Sequence, residues 1–421
     1  MKSAARGGAG SPAGQAPGSK APASAAQASA ALARPAGAGP ATSPTRTAAG
    51  CATTTTRTAT TGTRTTTTGT RTTTTGRAAR AILVASALLL IALAVGVCVG
   101  PAGLSLPDVA GALLTRLPWH PAVTVPAIDT AIVWQIRLPR VVLGALVGAM
   151  LAGGGAAYQG VFRNPLADPY LLGVAAGGGL GATIVIVTGG SPALLPPAAF
   201  LGAAAAVTLT YLLGAGAGRA PSGGGRGLGS GTGSILLAGV AVAALLTAVQ
   251  TYLQQEHSQT LQAVYSWILG GLSLATWSDI TMILPYVIVA AGILLAHRRL
   301  LDVLRIGETE AGSLGVDVAR LRLTVVMAAT LGTAAAVSVS GLIGFVGIIV
   351  PHAVRLTAGA SYRIVLPVSM IGGAAFLVLA DVLARTVQSP DEVPIGVITA
   401  LAGAPFFLFI LHSRRARQEL A

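Results

Sequence analysis

Charge is scarce in this chain: only 10% of its 421 residues are Asp, Glu, Lys or Arg. Soluble domains carry about 25%, so most of this polypeptide suits a medium that does not reward charge. No acidic residue precedes Asp108, and no lysine follows Lys20. The missing lysine excludes a Walker A loop, which needs an ammonium group at the β- and γ-phosphates of ATP. Carboxylates are nearly absent from the long apolar runs, with Asp381 close to the end of one. Ion-coupled carriers keep ionisable relays inside the bilayer, so a secondary transporter is disfavoured. Two cysteines, Cys51 and Cys98, form neither a disulfide framework nor a metal-ligand spacing. No nucleophile–base pair or metal cluster marks an enzyme, and no bound cofactor is expected.

What is present is apolar: 53% of residues are hydrophobic and the mean hydropathy is +0.73. The formal charge is +14, but residues 1–80 hold Lys2, Lys20 and eight of the arginines. The charge therefore belongs to the N-terminal tail. No basic face with interleaved aromatics follows it, so nucleic acid is not an expected partner.

Residues 1–79 are rich in Ala, Gly, Pro and Ser, then in Thr. In "RTATTGTRTTTTGTRTTTTGR" the residues Arg57, Arg64 and Arg71 stand seven apart. A heptad needs apolar a and d positions to make a coiled coil, and none exist here. The stretch reads as a disordered cationic tail. An Arg-rich, acid-free leader also resembles an organelle transit peptide, and a start codon placed too early is a third reading.

From residue 80 to 415 the chain reads as a transmembrane domain, with 416–421 a short C-terminal tail. A spanning helix needs about 20 mainly apolar residues. Candidate spans are 81–100, 141–161, 171–189, 194–213, 235–253, 280–296, 323–341, 343–358, 365–384 and 395–412. The expected class is an all-α polytopic membrane protein with about ten transmembrane helices. Gly144 and Gly148 in "GALVG" have the small-xxx-small spacing that lets helices approach closely. "GVAAGGGLGA" lacks the strand and acidic residue of a nucleotide fingerprint and reads as packing.

Orientation follows the arginines. With a cytoplasmic N-terminus, the inside loops hold Arg163, Arg219, Arg226, Arg298, Arg299, Arg305, Arg320, Arg322, Arg363, Arg414, Arg415 and Arg417. The outside loops hold Arg116, Arg137, Arg140 and Arg385. Ten spans then return the C-terminus to the cytoplasm. Arg137 and Arg140, in "RLPR", run against this tendency. Pro139 suits a helix start, which would set both at the positive end of the helix dipole, unfavourable by roughly 0.3–1 kcal/mol. Two readings stand: snorkelling to lipid phosphates, or an external acidic partner.

The longest inside segment, "HRRLLDVLRIGETEAGSLGVDVARLRL", sets Glu308, Glu310 and Asp317 among five arginines. Gly307, Gly312 and Gly315 cut it into short helical pieces. A short amphipathic helix does not stay folded alone in water, so it either docks on a partner or is a solvated loop. In "NPLADPY", Asn164-Pro165 and Asp168-Pro169 forbid a continuous helix. "SGLIGFVGIIVPHAVRL" is broken by glycines and Pro351, and broken backbone at membrane depth is tolerated where it lines a cavity. His352 lacks ligand company and reads as structural.

At these residues the chain resembles the FecCD family of ABC-transporter permeases, the type II importers. The likeness covers 81–415 through "RLPR", "NPLADPYLLGV", "LLAGVA", "SWILGG", "GETEAGSLGV", "GFVGIIVPHAVRL", "LADVLAR" and "PIGVITALAGAPFF". "VWQIRLPR" is similar to the family's cobalamin permeases. The resemblance implies a plasma-membrane subunit with ten helices and both termini cytoplasmic. It also implies a second permease copy, a cytoplasmic ATPase dimer that hydrolyses the ATP, and an extracytoplasmic binding protein. The cargo implied foremost is an iron–siderophore complex, with cobalamin or haem as the alternative. Residue by residue, it implies that Arg137, Arg140 and Arg385 dock the binding protein. Gly307, Glu308, Ala311, Leu314 and Gly315 would couple to the ATPase, and Asn164, Leu166 and Thr232 would form a cytoplasmic gate. The "GAGAGRAPSGGGRGLGSGTGS" loop before span five is longer and richer in glycine than the family's short basic loop.

Overall fold

The computed structural model describes residues 71–116, 125–217 and 230–412. The tail readings for residues 1–70, the glycine-rich stretch 218–229 with Arg219 and Arg226, and the C-terminal 413–421 lie outside the described residues.

Every candidate span falls on a helix. In chain order these are α1 (Arg71–Cys98), α2 (Leu106–Leu114), α3 (Ala127–Ala131), α4 (Leu138–Val161), α5 (Val174–Val187), α6 (Leu195–Ala217) and α7 (Ser230–Glu256). Then come α8 (Leu261–Ile268), α9 (Trp277–Leu304), α10 (Glu308–Ser313), α11 (Val318–Ser340), α12 (Val346–Ala358), α13 (Tyr362–Thr386) and α14 (Ile395–His412). The all-α polytopic class is thereby established. Among the described residues, 7 helices are long and apolar enough to cross a membrane. The apolar stretches Val174–Val187, Val346–Ala358 and Ile395–Phe409 are shorter, at 10–17 residues. Helix length alone thus supplies fewer crossings than the ten expected. At α12 the reason is local: the backbone between α11 and α12 is unwound, and Gly341 (φ 67°) and Phe345 (φ 68°) leave the right-handed region. The break expected from the glycines is present, whereas Pro351 lies inside α12. α1 begins at Arg71, within the stretch read as tail.

The bundle is organised around α4, whose side chains from Val147 to Val161 are almost all buried. It packs on α13, α11, α9 and α12. Lipid tails are as apolar as leucine, so burial does not drive helices together in a bilayer; close packing does. The small residues provide it. A methyl group on Gly148 would lie 2.2 Å from the Gly373 carbonyl oxygen, so α4 and α13 touch backbone to backbone. The α5–α6 pair uses the same device at Gly177 and Gly202, which explains "GVAAGGGLGA" as packing. Large apolar side chains point outward instead: Leu83 and Leu90 on α1, Leu201 and Leu212 on α6, Leu237 and Leu245 on α7. A soluble domain would bury these; a bilayer solvates them.

Candidate functional site

Arg137, Arg140 and Arg385 come together, but inside the fold: they are 3%, 6% and 2% exposed. The expectation that Pro139 opens a helix is corrected. Helix runs unbroken from Ala127 to Val161, with a π-helical turn at Ile132–Arg137 just before the proline. Proline removes a backbone donor and crowds the preceding turn, and a π-bulge accommodates that inside a helix. The two arginines are therefore mid-helix and not at its positive end.

Their partners are internal. Arg137 Nη1 donates to the carbonyls of Val97 (2.9 Å) and Cys98 (2.8 Å), and Nη2 to that of Ala102. Arg385 Nη2 donates to the Gly96 carbonyl at 2.6 Å. The last carbonyls of a helix have no intrahelical donor, so two guanidinium groups finish the end of α1. Arg140 grips two carboxylates: Nε reaches Asp381 at 2.9 and 3.0 Å, while Nη1 and Nη2 reach Glu392 at 2.7 and 3.0 Å. Asp381 also lies 3.5 Å from Arg385 Nε. All three arginines are thus committed to partners within the chain. Beside them, Trp277 Nε1 donates to the Trp134 carbonyl (2.8 Å) and Trp134 Nε1 to that of Ala112 (2.7 Å). Sequence reasoning missed these partners. Asp381 was within reach of it, since it stands four residues before Arg385 on one helix face; Glu392 and the tryptophan contacts carry no local signal.

At the opposite end of α13 the segment 305–317 is anchored at both sides. Asp302 accepts from Ser361 Oγ (2.7 Å) and the Tyr362 N–H (2.6 Å), and Arg305 Nη1 donates to the Ala360 carbonyl (2.7 Å). Glu308 pairs with Arg322 at 2.6 Å, both side chains largely buried. Ala311 is fully buried, and Asp317 caps α11 by accepting from the Arg320 N–H at 2.9 Å. A side chain at Gly307 would collide with the Glu310 carboxylate, and Gly315 has φ 82°. Against this rigid frame two large apolar residues stand in solvent: Ile306 is 65% exposed and Leu314 is 66% exposed.

In the loop after α4, Asn164 Oδ1 accepts from the Leu166 N–H at 2.9 Å, closing an Asx turn. Asp168 caps the next turn by accepting from the Tyr170 N–H at 2.9 Å. Burial raises the Asp168 carboxyl to about 6, against the opposing pull of that hydrogen bond. Leu166 is exposed, and Tyr170 Oη exchanges hydrogen bonds with the backbone of Ile343 in the unwound segment at 3.1 Å. Thr232 lies in the first turn of α7, and its side chain is outside the described residues. His352 packs edge-on against Phe406 with ring centroids 5.9 Å apart, and among the described residues no cluster of His, Cys, Asp or Glu is suited to a metal ion.

A polytopic helical bundle with an unwound segment between α11 and α12 and an anchored apolar loop at one end is the architecture of a membrane protein. The chain belongs to the FecCD transport family, whose sequence model matches residues 88–413. It is a permease, a transport subunit and not an enzyme. It is similar to the cobalamin import system permease protein BtuC of Halobacterium salinarum, 41% identical over 366 residues that cover 79% of this chain and 96% of that one. The hemin transport system permease protein HmuU of Yersinia pestis is 38% identical, across 68% of this chain and 85% of its own. Among solved structures, a transporter assigned to the metal-chelate type ABC class, in an inward-facing conformation, matches with a TM-score of 0.68. It is 28% identical, over 79% of this chain and 99% of that one.

Proposed function

We propose that this chain is the membrane subunit of an ATP-driven importer whose cargo is cobalamin or haem. The observation that carries the cargo is the 41% identity to a cobalamin import permease over nearly its whole length, supported by the likeness to a hemin permease. Both relatives handle a large metal-centred tetrapyrrole. An iron–siderophore complex is the second reading, since it shares size and chelated metal.

In this reading the chain crosses the plasma membrane ten times, α5, α12 and α14 being the short crossings, with both termini in the cytoplasm. It pairs with a second permease copy. Segment 305–317 meets the ATPase through Ile306 and Leu314, while Gly307, Glu308, Ala311 and Gly315 hold the segment's shape. Closure of the ATPase dimer would move this segment and, through α9 and α11, the unwound stretch 341–345. Asn164, Leu166 and Thr232 would gate the path on the cytoplasmic side. The extracytoplasmic binding protein would land on the face built over Arg137, Arg140 and Arg385. These arginines shape that face from beneath, and Arg140 meets an outside carboxylate only by releasing Glu392, whose side chain is 32% exposed.

Proteoliposomes holding the chain, its ATPase and its binding protein, offered labelled cobalamin, haem and ferric siderophore together, test the cargo. Uptake of cobalamin or haem in preference is expected; uptake of the siderophore alone overturns this choice of cargo and leaves the family unaffected.

A further inference from the structure

A groove with a cavity of about 570 Å³ runs between α1, α12 and α13. Its volume falls in the roughly 300–1,000 Å³ range of small-molecule sites. The lining follows helical spacing on all three helices. Ala81, Val84, Ala85 and Leu88 form the α1 wall, with Val350 and Val354 on α12 and Gly372 and Phe376 on α13 among those opposite. The floor at Gly372 lies so close to Val350 that a methyl there would sit 3.3 Å from its Cγ1. At the far end α1 closes onto its neighbours, where a methyl on Gly96 would meet Val141 at 2.9 Å and Val378 at 3.0 Å. The groove is thus open along one half of α1 only.

Its mouth is cationic. Arg77 and Arg80 line it, both exposed, and neither has an acidic partner among the described residues. From Arg77 to Leu88 the α1 wall is about 16 Å long at 1.5 Å per residue, roughly half the 30 Å hydrocarbon thickness of a bilayer. Two charges at the headgroup level and an apolar trough one leaflet deep have the shape and polarity of a single anionic lipid.

We propose that this groove is a binding site for an anionic phospholipid, with its phosphate between Arg77 and Arg80 and an acyl chain along Val84 and Leu88 against Val350 and Phe376. Basic pockets between membrane helices select such headgroups. The N-terminal tail is a poor rival for the groove, because residues 1–70 contain no Asp or Glu to meet the two arginines. A second copy of the chain is the other possible occupant, and the experiment separates it. The inference needs only that the helices lie in a bilayer, so it stands or falls apart from the cargo.

The full chain, purified in non-ionic detergent, is titrated with phosphatidylglycerol, with phosphatidylcholine and with inorganic phosphate, and retained lipid is counted by native mass spectrometry. Selective retention of phosphatidylglycerol is expected, with inorganic phosphate a weak competitor. The Arg77→Glu/Arg80→Glu double variant, whose changes are on the exposed rim, should lose the preference by about thirtyfold. Val84→Trp should lower retention of both lipids by narrowing the trough. Equal retention of the two lipids, an unchanged preference in the double variant, or displacement by phosphate as readily as by lipid would overturn the site. So would disulfide cross-linking of a Thr357→Cys variant to a second copy in the native membrane, since that places a protomer in the groove.

Discussion

The two ends of α13 treat their functional-looking residues in opposite ways. At one end, three arginines that look in the sequence like a landing site are folded in, shared among helix carbonyls and the Asp381 and Glu392 carboxylates. At the other, the charged residues Asp302, Arg305, Glu308 and Asp317 are consumed in anchoring, and Ile306 and Leu314 are left in solvent. The lesson is about what charge does at a membrane boundary. A buried guanidinium must be paired or it is very costly, so it fixes geometry. An exposed leucine held on a rigid frame gains by meeting another surface. Charge builds both ends; at one of them it leaves large apolar side chains exposed.

The sharpest break in this comparison is Asp381→Ala. Removing one partner from a buried pair typically costs about 3–5 kcal/mol, and here it leaves Arg140 with Glu392 alone and Arg385 with only the Gly96 carbonyl. A large fall in the unfolding midpoint in detergent is expected. Glu392→Gln, at the half-exposed edge of the same cluster, should cost well under half of that. Equal effects would mean that burial does not govern the cluster.

Leu314→Asp tests the other end. Large apolar residues at the centre of an interface carry most of its energy, so affinity for the ATPase should drop at least about tenfold, and uptake with it. Thermal stability should stay within about 0.5 kcal/mol, as for an exposed position. A destabilised protein with normal ATPase binding would place Leu314 in the fold's own packing.

The smallest effect concerns Asp168. Its folded-state value lies near 6, above the ordinary 3.8, so the folded protein holds a proton that the unfolded chain gives up. Stability is then greatest below the ordinary value, falls as pH rises through about 6, and levels off above. Asp168 is largely but not fully buried, and residual contact with solvent keeps the change to about 1 kcal/mol. Asp168→Asn should flatten the slope in unfolding midpoint between pH 4 and 6; an unchanged slope would assign it to another group.

Much of the bundle is legible in composition and spacing. Twenty apolar residues and glycines at packing distance leave a chain little choice in lipid, and Gly148, Gly177 and the break at 341–345 can each be read directly. Helix length was harder. Nothing local announces that helix continues back from Leu138 to Ala127, because Pro139 gives the same signal at a start and at a π-bulge. The site divides along the same line. Gly307, Gly315 and Leu314 declare a broken, apolar loop, whereas the burial of Arg140 depends on Asp381, 241 residues away. Long-range pairing leaves no mark on a single sequence.

The most direct test of the account is the energy source for uptake. Proteoliposomes with ATPase and binding protein should accumulate labelled cobalamin or haem when ATP is supplied on the ATPase side, and Leu314→Asp should abolish that accumulation. Accumulation driven by a proton or sodium gradient without ATP would contradict it.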